Sequence, residues 1–99
     1  MIENDILRDA ADLFGVTVEA VTSAMRHRQY ADARAVVCYV LCSMRGMSTT
    51  EVGRMIHRTH ATVIYYNRKA DDWLRMPMLN RRGACAIREL ENRYKDQKL

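Results

Sequence analysis

The chain has 99 residues, 48% of them apolar, which suits a single small domain over residues 1–99 with one modest core. No apolar run approaches the roughly 18 residues that cross a membrane, and the acidic start Met1-Ile2-Glu3-Asn4-Asp5 does not resemble a secretory signal. The net charge of +4 is mild but unevenly spread: residues 1–25 carry five acidic and one basic side chain, residues 26–69 eight basic and two acidic, and residues 70–99 seven basic and five acidic. A basic middle third is the charge footprint of a surface that meets a polyanion.

With one proline and four glycines, the chain has room for long helices and few strand-type turns, so the expected class is all-α. Ile6, Leu7, Ala10, Leu13 and Phe14 recur at helical spacing, which predicts an amphipathic helix over 2–14 ended by Gly15. Val18 to Ala24 reads as a short helix with Thr17 as its N-cap. The basic patch Arg26-His27-Arg28 follows. Ala33, Val36, Val37, Val40, Leu41 and Met44 then mark one face of a helix over 31–45, with Gly46 as its C-cap.

Ser48-Thr49-Thr50-Glu51 has the form of a capping box, opening a helix of about nine residues through Val52, Met55 and Ile56. Thr59 offers the next N-cap, for a helix over 60–74 with Val63, Tyr66, Ala70, Trp73 and Leu74 inward and Ala61, Tyr65, Arg68, Lys69 and Asp72 outward. Two helices this close in sequence read as a helix-turn-helix over about 48–74. Pro77 separates it from a last helix, over about 78–95, with Leu79, Ala86, Ile87, Leu90 and Tyr94 inward. The end of the chain, about 96–99, is expected to fray. The whole is a compact bundle of about six helices.

The second helix of such a motif presents its N-terminal residues to base edges in the major groove. That makes Thr59, His60, Ala61, Thr62, Tyr65 and Arg68 the candidate base readers: imidazole donates or accepts, and small methyl-bearing side chains pack on thymine methyls. Ser48, Thr49 and Thr50, at the start of the first helix, suit phosphate through hydroxyls and free N–H groups. Arg26, Arg28, Arg34, Arg58 and Lys69 complete the phosphate-binding candidates. Cys38, Cys42 and Cys85 are an odd set without a disulfide pattern, and Cys38 and Cys42 read as small buried hydrophobes. His57 and His60 lack further metal ligands nearby. No nucleophile with a base, no P-loop and no dinucleotide glycine pattern is present. No catalytic residue, metal or cofactor is therefore expected.

The residues also resemble the C-terminal DNA-binding domain of the bacterial chromosomal replication initiator DnaA, over about residues 3–75. The likeness runs through Ala11-Asp12-Leu13-Phe14, Val16-Thr17-Val18, the basic turn Arg26-His27-Arg28 and Ala33-Arg34. It continues in Met47-Ser48-Thr49-Thr50-Glu51-Val52-Gly53-Arg54, where the family has Leu-Ser-Leu-Pro-Glu-Ile-Gly-Arg. It is strongest in Arg58-Thr59-His60-Ala61-Thr62-Val63, similar to the family's Arg-Asp-His-Thr-Thr-Val, and Arg68-Lys69 fall on the family's Arg-Lys. The resemblance implies a fold of the Trp-repressor and DnaA-C-terminal kind, base contacts from His60 and Thr62, and backbone contacts from Arg26, Arg28 and Arg34. It also marks departures. Thr59 replaces an Asp, Ala61 replaces a Thr, Asp32 stands where the family has an Arg that enters the minor groove, and the glycine-rich turn is one residue shorter, spanned by Ile56-His57-Arg58.

The expected function is sequence-specific binding of double-stranded DNA with an altered site preference. Chemistry on small molecules and membrane binding are not expected. The chain starts at a Met and shows no ATPase motor, so the expectation is a free-standing regulator of replication or transcription, of phage, plasmid or other mobile-element type. It would sit in the cytoplasm on the nucleoid, as a monomer or homodimer. The competing expectation is a protein-interaction module that kept the fold and lost DNA binding, with the acidic first helix as its docking face. RNA binding is weaker, for want of a stacking platform.

Overall fold

The computed structural model describes residues 1–97. Six α-helices follow one another: α1 (Ile2–Leu13), α2 (Val18–Thr22), α3 (Arg28–Met44), α4 (Thr49–Ile56), α5 (His60–Arg75) and α6 (Arg81–Tyr94). Short 3-10 turns cover Pro77–Leu79 and Lys95–Gln97. No strand occurs among the described residues, so the all-α expectation holds. Of the segment expected to fray, Lys98 and Leu99 lie outside the described residues.

The long helix α3 is the centre of the bundle. Apart from Arg34, its buried side chains are apolar, from Ala33 to Cys38 and then Val40, Leu41 and Met44. A helix apolar on so many sides must be covered on all of them, and α1, α2, α4, α5 and α6 each pack against it. Ile6 and Ala10 of α1, Val52 and Ile56 of α4, Val63 and Ala70 of α5, and Ile87 and Leu90 of α6 close the same core with no exposed surface. Each Val, Leu or Ile buried in this way stabilises the fold by about 1.5–3 kcal/mol.

The helix ends follow local chemistry. Gly15 and Gly46 adopt positive φ, 66° and 65°, after α1 and α3, a conformation in which glycine carries no Cβ penalty. Thr17 Oγ1 accepts from the Ala20 N–H at 3.1 Å. Three boundaries depart from expectation. Helix α2 ends at Thr22, not Ala24, because Ser23 is extended and its Oγ accepts from the Met25 N–H at 3.2 Å. Helix α3 begins at Arg28, not 31: His27 is extended, its carbonyl accepts from the Ala31 N–H at 3.1 Å, and its ring meets Tyr30 edge-on at 5.0 Å. The last helix begins at Arg81, because Asn80 Oδ1 accepts from the Gly83 N–H at 2.8 Å and caps it there. Leu79, expected inward, belongs to the preceding 3-10 turn and is 53% exposed. A Cβ at Gly83 would stand 2.5 Å from a Trp73 ring carbon, so this glycine lets α6 lie directly on α5.

Candidate nucleic-acid interface

Helices α4 and α5 form the helix-turn-helix, and three local devices build it. The first is the capping box: Ser48 Oγ accepts from the Glu51 N–H at 3.1 Å, and Glu51 Oε1 accepts from the Ser48 N–H at 2.9 Å. That backbone bond, with the Ser48 hydroxyl second, holds the Glu51 carboxyl below its ordinary range. The second is the turn. His57 adopts the left-handed conformation, φ 59° and ψ 48°, and the Arg58 N–H donates to the Gly53 carbonyl at 2.8 Å. A Cβ at Gly53 would overlap the Arg58 carbonyl oxygen, so the turn closes only over a glycine. The third is Thr59, whose Oγ1 accepts from the Thr62 N–H at 3.3 Å and lies 3.1 Å from Thr62 Oγ1.

Helix α5 then has two opposite sides. Val63, Tyr66, Ala70 and Trp73 are buried. His60, Ala61, Ile64, Tyr65, Arg68, Lys69 and Asp72 are exposed. Lys69 Nζ sits 5.5 Å over the Tyr65 ring, a cation–π contact that holds both outward. Grooves flank this outward side. One is lined by Thr50, Arg54, His57, Arg58, Thr59 and His60. The other is lined by Arg26 of the loop after α2 together with Arg34, Arg58, Thr62 and Tyr65. Farther along α5, Arg28, Asp32, Lys69 and Asp72 line a third groove against Trp73.

Most of the expected residues therefore meet on one face. His60, Ala61, Tyr65 and Arg68 project from α5, and Thr50, Arg26, Arg28 and Lys69 line the grooves beside it. The hydroxyls of Ser48, Thr59 and Thr62 are engaged in helix capping, and Thr49 opens α4 half-buried.

Arg34 departs from expectation. It is 2% exposed. Its Nε donates to the Val21 carbonyl at 2.6 Å, and its Nη2 meets the carbonyls of Ala20, Ser23 and Met25 at 3.1, 2.9 and 2.8 Å. Those bonds fasten the loop carrying Arg26 instead of leaving the guanidinium for phosphate. Arg58 is only partly free: its Nη2 donates to the same Ser23 carbonyl at 2.6 Å, and its Nη1 to the His57 carbonyl at 3.0 Å.

Sequence reasoning passed over Arg54, His57 and Ile64. Thr50, Arg54 and His57 are spaced by four and three, the signature of one helix face, which would have assigned Arg54 to the groove. Ile64 carried the same kind of signal, three and four residues from Ala61, His60 and Arg68, but an aliphatic in a helix is ordinarily counted toward the core.

A short capped helix, a tight turn and a second helix whose exposed start lies between arginine-lined grooves define a helix-turn-helix protein. The sequence profile described as "Bacterial dnaA protein helix-turn-helix" matches residues 4–70, and the chain belongs to this family. It is similar to "Chromosomal replication initiator protein DnaA" of Pseudothermotoga lettingae, 30% identical over 70 residues, covering 71% of this chain and 16% of that protein. The proteins of the same description from Leifsonia xyli subsp. xyli and Clavibacter sepedonicus are each 28% identical over 72 residues, covering 72% of this chain and 15% of theirs. The chain thus spans about a sixth of the length of these relatives. Among the described residues, no helix is long and apolar enough to cross a membrane.

Proposed function

We propose that this protein binds double-stranded DNA in a sequence-specific way, with the start of α5 in the major groove. The observation that carries the reading is the flanking of α5: the exposed His60, Ala61, Tyr65 and Arg68 stand between one groove with Arg54 and Arg58 and another with Arg26 and Arg58. A duplex laid on that face puts bases against α5 and a phosphate backbone on either side, the division of labour by which backbone contacts position and base contacts specify. His60, Ala61, Tyr65 and Arg68 read bases, with Thr59 and Thr62 shaping the helix tip. Arg26, Arg28, Arg54, Arg58, Lys69 and the Ser48–Thr50 cap hold phosphates. Family membership supports the same reading.

The site preference differs from that of the relatives. Thr59 and Ala61 replace side chains of the family's recognition segment, and Asp32 sits in the groove beside Arg28 and Lys69, where a carboxylate repels phosphate. Mismatched contacts at two or three base pairs lower affinity by about 1–3 kcal/mol each. The role that fits is a regulator of replication or transcription, working on the nucleoid in the cytoplasm and needing neither cofactor nor catalysis. A second reading, a protein-interaction module, is favoured by Asp32 together with Met76, Met78 and Leu79, which are 52%, 75% and 53% exposed beyond α5.

Fluorescence-anisotropy titration of a mixed-sequence duplex at several salt concentrations tests the reading. Binding that weakens steeply as salt rises is expected. His60→Ala then lowers discrimination between sequences, while Arg28→Ala weakens every duplex alike. A folded protein that binds no duplex at low salt would overturn the DNA reading in favour of the interaction module.

A further inference from the structure

Ile64 is 38% exposed in the middle of α5. The other large apolar side chains exposed among the described residues are Tyr65 beside it and Met1, Met25, Met76, Met78 and Leu79, which lie outside the six α-helices. Elsewhere in α5 the aliphatic Val63 is fully buried. An isoleucine that leaves more than a third of its surface open to water in mid-helix is more exposed than a core position would be and, being β-branched, adds little to helix propensity. Its place on the helix gives it a use. Residues three and four apart are neighbours, so Ile64 stands directly between His60, Ala61 and Arg68. The groove on one side of α5 is reached by His60 and that on the other by Thr62 and Tyr65. Ala61, Ile64 and Arg68 therefore form the crest between the two grooves, the line of α5 that goes deepest into any major groove the helix enters.

Two consecutive crest positions are apolar. The only apolar group that the major groove offers is the methyl at carbon 5 of a pyrimidine, carried by thymine and by methylated cytosine but not by uracil or plain cytosine. We propose, on the basis of the DNA-binding reading above, that Ile64 reads such a 5-methyl group and that the target site carries one opposite it. Ala61, one turn earlier, leaves room for the base pair to approach, and His60 and Arg68 frame the contact with polar ones.

The test uses the full chain and the duplex it selects from a randomised pool. Each thymine in turn is replaced by deoxyuridine, and each cytosine by 5-methylcytosine, and affinity is read by anisotropy at fixed salt. Removal of one methyl is expected to weaken binding about three- to tenfold at one or two positions. Ile64→Ala is expected to bind the thymine and uracil duplexes equally at one of those positions, and Ile64→Val, which keeps γ-methyl groups, to retain the distinction. If the sensitive position is instead a cytosine whose methylation tightens binding, the methyl comes from 5-methylcytosine. Duplex binding indifferent to every methyl, or a uracil penalty of unchanged size at each sensitive position in Ile64→Ala, would overturn the assignment while leaving DNA binding intact. Failure to bind any duplex would overturn both.

Discussion

Arg34 and His57 show how single residues set this face. Every hydrogen bond of the Arg34 guanidinium goes to a backbone carbonyl of residues 20–25. Replacing it with Met, of similar length and without donors, takes the donor from the buried Val21 carbonyl and the part-buried Met25 carbonyl, while the Ala20 carbonyl keeps Ser23 and the Ser23 carbonyl keeps Arg58. We expect Arg34→Met to lower stability by roughly 2–4 kcal/mol, seen as a fall in the urea midpoint. The exposed Arg28 gives no such fall when replaced by Ala. His57 poses the opposite case. A side chain in the left-handed region costs about 1–2 kcal/mol, part of which glycine gives back as unfolded-state entropy. His57→Gly is therefore expected to raise the stability by about 0.5–1 kcal/mol, and an unchanged urea midpoint would refute the strain. Neither role was legible in the sequence. The partners of Arg34 lie 9 to 14 residues away and become its neighbours only when α2 folds back on α3. A left-handed residue announces itself in sequence as glycine or asparagine, and here it is a histidine.

At the level of elements, the helix-turn-helix is where local rules and observed structure agree best. The Ser48–Glu51 box and the Thr59 cap depend on atoms three residues apart, so the sequence alone carried them. The start of the last helix was missed for a related reason. Asn80 is as good a cap as Ser48, but Pro77 and the apolar Met78 and Leu79 look like an earlier beginning. The turn between α4 and α5 rests on Gly53, whose missing Cβ leaves space for the Arg58 carbonyl. Gly53→Ala is expected to cost about 2–3 kcal/mol, since backbone and not a flexible side chain must give way. Gly15→Ala, with nothing within 4 Å of its Cβ but a φ of 66°, is expected to cost nearer 1 kcal/mol. Equal urea midpoints for the two variants would contradict the close approach. A loss confined to DNA affinity in Gly53→Ala would do so as well.

Across the whole molecule, the acidic and basic segments are held together by bonds between distant ends. Tyr94 Oη of α6 donates to Asp9 Oδ2 of α1 at 2.6 Å, Arg93 meets the same carboxylate at 3.3 Å, and Arg45 after α3 pairs with Glu3 at 2.8 Å. Burial, then the bond to Asp9, pushes the Tyr94 phenol up to about 12. The sign follows from proton binding. Above the ordinary tyrosine range near 10 the unfolded chain has lost this proton while the folded one keeps it. The stabilisation is therefore full below that range and declines as pH rises toward the folded value. Tyr39, raised by burial, adds to the same slope. Tyr94→Phe is expected to flatten the alkaline fall in stability without abolishing it, and to cost about 1 kcal/mol at neutral pH. An unaltered alkaline profile would show the tie to be inconsequential. The charge split itself was plain in the sequence. Which side chains the acids meet was not, because Glu3–Arg45 and Asp9–Tyr94 join residues 42 and 85 positions apart.

The Ser23 carbonyl accepts from Arg34 at 2.9 Å and from Arg58 at 2.6 Å, so both of its lone pairs are occupied. One guanidinium comes from the central helix and the other from the helix-turn-helix turn. The loop bearing Arg26 and the tip of α5 are thereby pinned to a single atom, and the distance between them is a property of the fold and not of the ligand. Such a pair of fixed points works as a calliper. A duplex whose backbone does not match the gap must deform to fit, and its own stiffness then enters the choice of sequence at base pairs no side chain touches.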